Sequence, residues 1–408
     1  MQIQWSPFGR VCFSMCVGTM GTALASPLYP LYKEAWHLQP SDITVIYTIY
    51  MVGAMVSLLF LARLTDRFGY LPVLRAGMVL VTLGVALSMV AWNPGVFMAS
   101  RLAIGLASGM ITTASAIGLS QLNDDGDPRR AAAFTTVALT LGFGLGPLVG
   151  GLIAQWAPMP LASAYFPSLV MGGIAIYALF RMRATPPLSA SPAARNARSW
   201  LARCMPRLTL PPAAQRTAFW IAAMGAFSTF GIFSLYASLA PSFMKQLLPW
   251  HGPAASGLSI AMILFLSSVF QLAGRRMPLK ACAVTGMGVL SLSNLLLMLT
   301  ARTGSAGLFV VCVFTTAFGH GMANLAGMAL VDGIATPDNR AGLLSSYLIV
   351  GYIGSILPIL GTGWLSDHLG LTAALLVFCA AMALLTAGLA WAIHARLVIP
   401  GPHPAARS

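Results

Sequence analysis

The chain predicts an all-α integral membrane fold of twelve transmembrane helices in two six-helix halves. Three observations lead there: a shortage of charge, apolar runs of membrane-spanning length, and a weak internal repeat. Of 408 residues, 58% are hydrophobic and 8% charged, against roughly a quarter charged in an ordinary soluble domain. A water-soluble globule of this composition has too few polar residues to cover its surface, so lipid must cover most of it. The stretches free of Asp, Glu, Lys and Arg run 11–32, 43–62, 76–100, 102–123, 131–180, 217–244, 246–274, 281–301, 303–331, 341–366 and 368–395. Each reaches the roughly 20 residues that cross a hydrocarbon core about 30 Å thick. The 131–180 run is long enough for two spans, and Trp156, Pro158 and Pro160 divide it at a tight turn. That makes twelve. The runs are too long and too evenly apolar for barrel strands, and backbone in lipid must satisfy its own polar groups, which leaves helices.

The first span holds Ala23-Leu24-Ala25 after an apolar run and Arg10, the pattern of a cleaved signal peptide. Its apolar run continues through Pro27, Tyr29 and Pro30 and has a counterpart later in the chain, so it reads as a retained span. An even number of spans puts both termini on one side. With that side cytoplasmic, Arg10, Arg63, Arg67, Arg75, Arg129, Arg130, Arg181, Arg183, Arg195, Arg198, Arg203, Arg207, Arg216, Arg275, Arg276, Lys280, Arg340, Arg396 and Arg407 lie inside. Lys33, Lys245 and Arg302 lie outside, and Arg101 lies within a span. This asymmetry sets the orientation, and the expected location is the plasma (inner) membrane. The net charge of +14 is therefore topological, and nucleic acid is excluded as a partner. Cys12, Cys16, Cys204, Cys282, Cys312 and Cys379 are scattered without CxxC spacing and read as packing residues, with no metal site.

Sliding the sequence on itself pairs Pro30 with Pro241, Gly77-Met78 with Gly286-Met287, Gly109-Met110 with Gly321-Met322, and Pro147 and Gly150 with Pro358 and Gly361. Repeats of this kind build secondary transporters, with the substrate site at mid-membrane between halves. Residues 184–215 are rich in Pro, Ala, Ser and Arg without apolar periodicity and read as a cytoplasmic linker. The expected organisation is a bundle over 1–183, the linker, a second bundle over 216–396, and a cytoplasmic tail over 397–408.

At the end of span 2 stands Ala62-Arg63-Leu64-Thr65-Asp66-Arg67-Phe68-Gly69. Here the chain resembles the major facilitator superfamily, whose loop between helices 2 and 3 carries G-x-L-x-D-R-x-G-R-R. Leu64, Asp66, Arg67 and Gly69 match, and Ala62, Tyr70 and Leu71 depart. The resemblance extends over nearly the whole chain and implies that Asp66, Arg67 and Gly69 form a conformational-switch loop; an acid there favours the positive end of a helix dipole. In span 4, Arg101-Leu102-Ala103-Ile104-Gly105, then Gly109, is similar to the family's R-x-x-x-G element. An arginine inside a span usually faces the bundle interior or a cavity, the alternative being that it snorkels to the outer interface. In span 5, Gly142, Gly146, Pro147, Gly150 and Gly151 are similar to the element characteristic of the family's antiporters. Gly and Pro at these spacings let another backbone approach closely and suit a hinge or sliding contact.

Span 10 carries His320 and, one turn on, Asn324, which share a face. A histidine at mid-membrane can carry a proton or bind substrate. The alternative for His320 is a bond to a neighbouring helix carbonyl. Many drug/proton antiporters of the family carry a buried acid in the first half, and no Asp or Glu lies deep in a span here; the candidate substrate and proton pathway is Arg101, His320 and Asn324. Tyr47, Tyr50, Phe227, Phe230, Tyr236, Tyr347, Tyr352 and the 22 methionines offer apolar, deformable surface suited to amphipathic compounds. There is no GxxxxGK[ST] loop, so no ATP-driven transport by this chain alone is expected. The six histidines, His37, His251, His320, His368, His394 and His403, lack the spacing of a catalytic metal site, and there is no soluble output domain, which sets aside a membrane enzyme or sensor. The resemblance and the residues together imply a monomeric secondary active transporter, without cofactor, that exports a small hydrophobic or amphipathic molecule by proton antiport, surrounded by membrane lipid. The alternative is a facilitator or importer of a small metabolite in the same fold.

Overall fold

A computed structural model describes residues 5–61, 64–123, 128–183, 208–249, 252–336 and 339–396. It contains twelve helices long and apolar enough to cross a membrane: α1 Pro7–Ala35, α2 Pro40–Leu61, α3 Tyr70–Met89, α4 Pro94–Gln121, α5 Arg130–Trp156, α6 Pro160–Phe180, α7 Ala213–Ser238, α8 Pro253–Gly274, α9 Leu279–Thr303, α10 Ala306–Ile334, α11 Gly342–Leu369 and α12 Leu371–Ala395. The chain is thus a multi-pass membrane protein of the predicted all-α class. Local chemistry sets the ends. Ser6 caps α1 by accepting from the Gly9 amide at 3.1 Å, Asn93 caps α4 through Val96, and Ser305 caps α10 through Leu308. Proline follows Ser6 and Asn93 at the first helical position, where its missing N–H costs nothing. Glycines in the left-handed range stop α9 at Gly304 and α11 at Gly370, with φ of 65° and 83°, a conformation that a Cβ disfavours. The turn expected between α5 and α6 is there, with Met159 left-handed at φ 52°.

Two spans are less regular than the sequence suggests. In α1 the α-helix ends at Ala23, a 3-10 turn covers Ser26–Leu28, and α-helix resumes over Tyr29–Ala35. Pro27 and Pro30 lack the N–H groups that a continuous ladder needs there. In α2 the last five residues, Ser57–Leu61, are π-helical.

The chain forms two compact units. The first comprises Met1–Pro206 with Ala237–Gln246 and Trp250–Ala261; the second comprises Arg207–Tyr236, Leu247–Pro249 and Met262–Ser408. Two of the glycine pairs matched by the repeat make equivalent contacts inside each unit, while Gly150 packs on Leu24 and its partner Gly361 meets nothing within 4 Å. In the first, Gly77 of α3 packs on Met110 and Ile111 of α4, and Gly109 of α4 packs on Ser57 of α2. In the second, Gly286 of α9 packs on Met322 and Ala323 of α10, and Gly321 of α10 packs on Ser267 of α8. Small residues at these crossings let helix backbones touch, the main source of helix association where lipid removes the hydrophobic drive.

At the cytoplasmic side expected from the charge pattern, Arg75 of α3 donates to the Leu179 carbonyl at 3.2 and 3.0 Å and to the Met182 carbonyl at 2.7 Å. Arg10 of α1 donates to the Ala178 carbonyl at 3.4 Å. These cations satisfy carbonyls at the end of α6 and just past it, and oppose the negative end of its dipole. Trp92, Trp156, Trp220, Trp364 and Trp391 lie exposed near helix ends, as expected of side chains that anchor at the headgroup level.

Candidate functional site

In the first unit, one face of α5 lies directly on the backbone of α1. A methyl group on Gly146 would stand 3.1 Å from the Leu24 nitrogen and closer still to the Met20 carbonyl. One on Gly150 would stand 3.0 Å from the Leu24 carbonyl, and one on Gly142 would run into Thr19 and the Cys16 carbonyl. On another face Gly151 meets Pro253 and Gly257, at the start of α8, and Gly257 in turn lies against the Pro147 carbonyl. Both α8 residues belong to the first unit. Pro147 sits inside α5 without breaking it; its missing N–H leaves a carbonyl one turn back without its helical partner. The predicted span 5 element is thus a sheet of bare backbone shared by α1, α5 and the N-terminal end of α8. Glu34 and Lys245, also of the first unit, form an exposed ion pair, which screening makes weak.

Arg101 is buried in the same unit, 1% exposed, and does not snorkel. The geometry follows from glycines. Gly105, one turn after Arg101, lies against the Tyr50 carbonyl and 3.1 Å, by its absent Cβ, from the Gly53 Cα. This α2–α4 crossing brings the Tyr50 ring over the guanidinium, 4.6 Å from centroid to Cζ. Arg101 Nη1 donates to the Thr22 carbonyl at 3.1 Å, one of the carbonyls close to where α1 loses its α-helical ladder. Beyond it lie Tyr32 and Tyr165, hydroxyl to hydroxyl at 2.9 Å, and Ser88 with Ser100 at 2.8 Å.

The predicted switch loop is described in part. Leu64–Phe68 is a short helix, and Gly69 follows with φ 79°, its amide bonded to the Thr65 carbonyl at 2.9 Å. Open space surrounds the Gly69 position, so its dihedral and not its size demands glycine. Arg67 is exposed, with its guanidinium 5.0 Å from the Phe68 ring. The side chain of Asp66, and residues 62 and 63, lie outside the described residues.

The second unit holds a chain of polar side chains across α7, α8 and α10. Because Gly321 has no side chain, α10 lies on α8 at Ser267, and the neighbouring His320 meets the Ser267 hydroxyl through Nδ1 at 2.8 Å. Gln271 donates to Ser267 at 3.3 Å. On the other side, the Asn324 amide stands 3.1 Å from His320 Nε2, and Thr229 donates to Asn324 Oδ1 at 3.3 Å. Phe233 closes over the imidazole, with ring centroids 5.8 Å apart. The predicted pair is therefore the middle of a five-residue chain: Thr229, Asn324, His320, Ser267 and Gln271. Thr229 on α7 and Ser267 and Gln271 on α8 give no sequence signal that would select them; the Gly109–Ser57 and Gly321–Ser267 equivalence is the one trace.

The aromatic residues expected to face a cavity divide. Tyr47, Tyr236 and Tyr347 are buried in the cores of their units, 1–2% exposed, with Tyr236 3.2 Å from the Thr316 hydroxyl. Phe230 and Tyr352 meet edge to face at 5.9 Å. Among the described residues no group of His, Cys, Asp and Glu is placed to hold a metal ion.

A family model described as Major Facilitator Superfamily matches residues 11–359, and the chain belongs to that superfamily. It is a membrane transporter of this class. The chain is 24% identical over 361 residues to the multidrug efflux protein YfmO of Bacillus subtilis strain 168, covering 88% of this chain and 86% of that one. In fold it is similar to the crystal structure of a bacterial homolog to the human lysosomal transporter Spinster, in an inward-facing and occupied conformation, with TM-score 0.76 and 11% identity over 97% of this chain and 98% of the other. The nucleoside transporter NupG is similar with TM-score 0.70 and 15% identity over 95% and 98%.

Proposed function

We propose that this chain is a secondary active transporter that exports a small, hydrophobic or amphipathic molecule in exchange for protons. It works as a monomer in the plasma (inner) membrane, with the six-helix bundles 1–183 and 216–396, both termini and the 184–215 linker arranged as the arginine asymmetry requires. The likeness to a multidrug efflux protein supports the outward direction. The observation that carries the proton coupling is His320. It is a titratable side chain buried in a span, with hydrogen-bonding neighbours on both sides through which a proton can enter and leave. The described carboxylates that have side-chain placements, Glu34, Asp42, Asp332 and Asp367, stand at or near helix ends. That same distribution favours the second reading, a facilitator that couples to no ion.

In this reading α5 is the sliding element, Asp66, Arg67 and Gly69 form the cytoplasmic switch loop, and Arg101, His320 and Asn324 line the path. The topology has its own test. A single cysteine at position 195, in a background without the native cysteines, should react with a membrane-impermeant maleimide only when the cytoplasmic face is exposed. Labelling from outside in intact cells would overturn the orientation.

A further inference from the structure

Arg101 and Tyr29 together form a buried, positively charged site whose hydrogen-bonding capacity the protein leaves half used. A guanidinium carries five N–H donors in a fixed fork. Here one of them reaches the Thr22 carbonyl. Arg101 Nε is buried without a hydrogen-bond partner; the Tyr29 hydroxyl, 0% exposed, lies against the guanidinium and has no acceptor for its own proton. The two groups are neighbours within electrostatic reach of one another. Among the described residues no carboxylate pairs with Arg101.

An unpaired charge inside a membrane protein carries a large desolvation cost, which the Tyr50 ring and one carbonyl offset only in part. The missing partner is an anion. Its chemistry is defined by what waits for it. A planar fork with a free edge matches a carboxylate through paired N–H bonds, and the phenol of Tyr29 adds a further donor. One positive charge balances one negative charge, which suits a monoanion over a phosphate. The surroundings, Tyr29, Tyr50 and Tyr32, are aromatic.

We propose that Arg101 and Tyr29 bind the carboxylate of the transported molecule, so that the substrate class is an aromatic or amphipathic monocarboxylate. This rests on the reading of the chain as an exporter and narrows what it exports. The guanidinium holds the carboxylate by its Nε edge, Tyr29 donates to a carboxylate oxygen, and Tyr50 keeps the fork in plane.

The test is thermal unfolding of the full-length chain in detergent with matched pairs of ligands: 1-naphthylacetate, 4-phenylbutyrate, indole-3-acetate and benzoate, each beside its uncharged primary amide, at constant chloride. At least one acid should raise Tm by about 2 °C or more while its amide does not. That shift should vanish in Arg101→Gln, and Tyr29→Phe should weaken the acid's affinity about tenfold. Arg101→Lys keeps the charge and loses the fork, and should retain only a small part of the shift. No acid exceeding its amide, or an acid shift that survives Arg101→Gln, would overturn the assignment. Should Arg101→Gln fail to fold, Tyr29→Phe decides, because unchanged acid affinity in it removes the site. Acid binding without gradient-driven flux leaves the site standing and removes the exporter; gradient-driven flux of a cation with no acid binding does the reverse.

Discussion

Gly146→Leu should lower transport at least about tenfold and Tm by several degrees, with membrane insertion and yield of the full-length chain unchanged. Overfilling a packed core costs about 1–3 kcal/mol when side chains can shift. At Gly146 the obstacles are the Met20 carbonyl and the Leu24 nitrogen, which are backbone, so α1 as a whole must move away from α5. That displacement reaches the site, because Thr22, the acceptor of Arg101, lies between those two residues on α1. The control is Gly361, the repeat partner of Gly150. It lies exposed on α11 with nothing within 4 Å of its absent Cβ, and Gly361→Leu should leave flux and Tm nearly unchanged. Equal effects at the two positions would show that helix flexibility, and not contact with α1, is what the glycines supply. Flux unchanged in Gly146→Leu would remove the sliding-contact role of α5.

His320→Gln should leave ligand binding measurable, within about threefold, and abolish the response of transport to an imposed pH gradient. Glutamine keeps a donor and an acceptor for Ser267 and Asn324 but cannot gain or lose a proton at these pH values. Ser267→Ala should give a partial loss, since it removes the group at Nδ1 while the imidazole remains. The split is what identifies a proton carrier. A structural histidine would affect Tm and affinity together and leave gradient dependence in whatever flux survived. Full gradient dependence in His320→Gln would assign the proton to another group.

How far the sequence reached depends on what each feature needs. Twelve helices and their ends follow from composition and local chemistry, since a charge-free run of membrane length leaves the backbone no alternative, and Ser6, Asn93 and Gly304 act on residues beside them. The candidate site was legible only where a residue is out of place in lipid, as Arg101 and His320 are. Their partners were not. Tyr50 reaches Arg101 because Gly53 and Gly105 bring α2 and α4 together, and Ser267 reaches His320 because Gly321 does the same for α8 and α10. Such contacts depend on crossing points between helices far apart in sequence, and ordinary serine and tyrosine residues give no hint of them. Tyr47, Tyr236 and Tyr347 misled for the converse reason: a tyrosine in a span reads the same whether it fills a core or faces a cavity. The breaks at Ser26–Leu28 and Ser57–Leu61 were not foreseen: Pro27 and Pro30, read as part of one continuous span, account for the first, and nothing local marks the second.

The central claim is uphill movement of a small molecule driven by protons, and it can be measured directly. Purified full-length protein is reconstituted into sealed proteoliposomes, and the compound giving the largest thermal stabilisation is followed as a radiolabelled tracer across an imposed gradient, acid inside. The account predicts accumulation inside above the external concentration, abolished by a protonophore, together with alkalinisation of the lumen reported by a trapped pH dye. Tracer that merely equilibrates at the same rate with or without the gradient would contradict antiport and make the chain a facilitator.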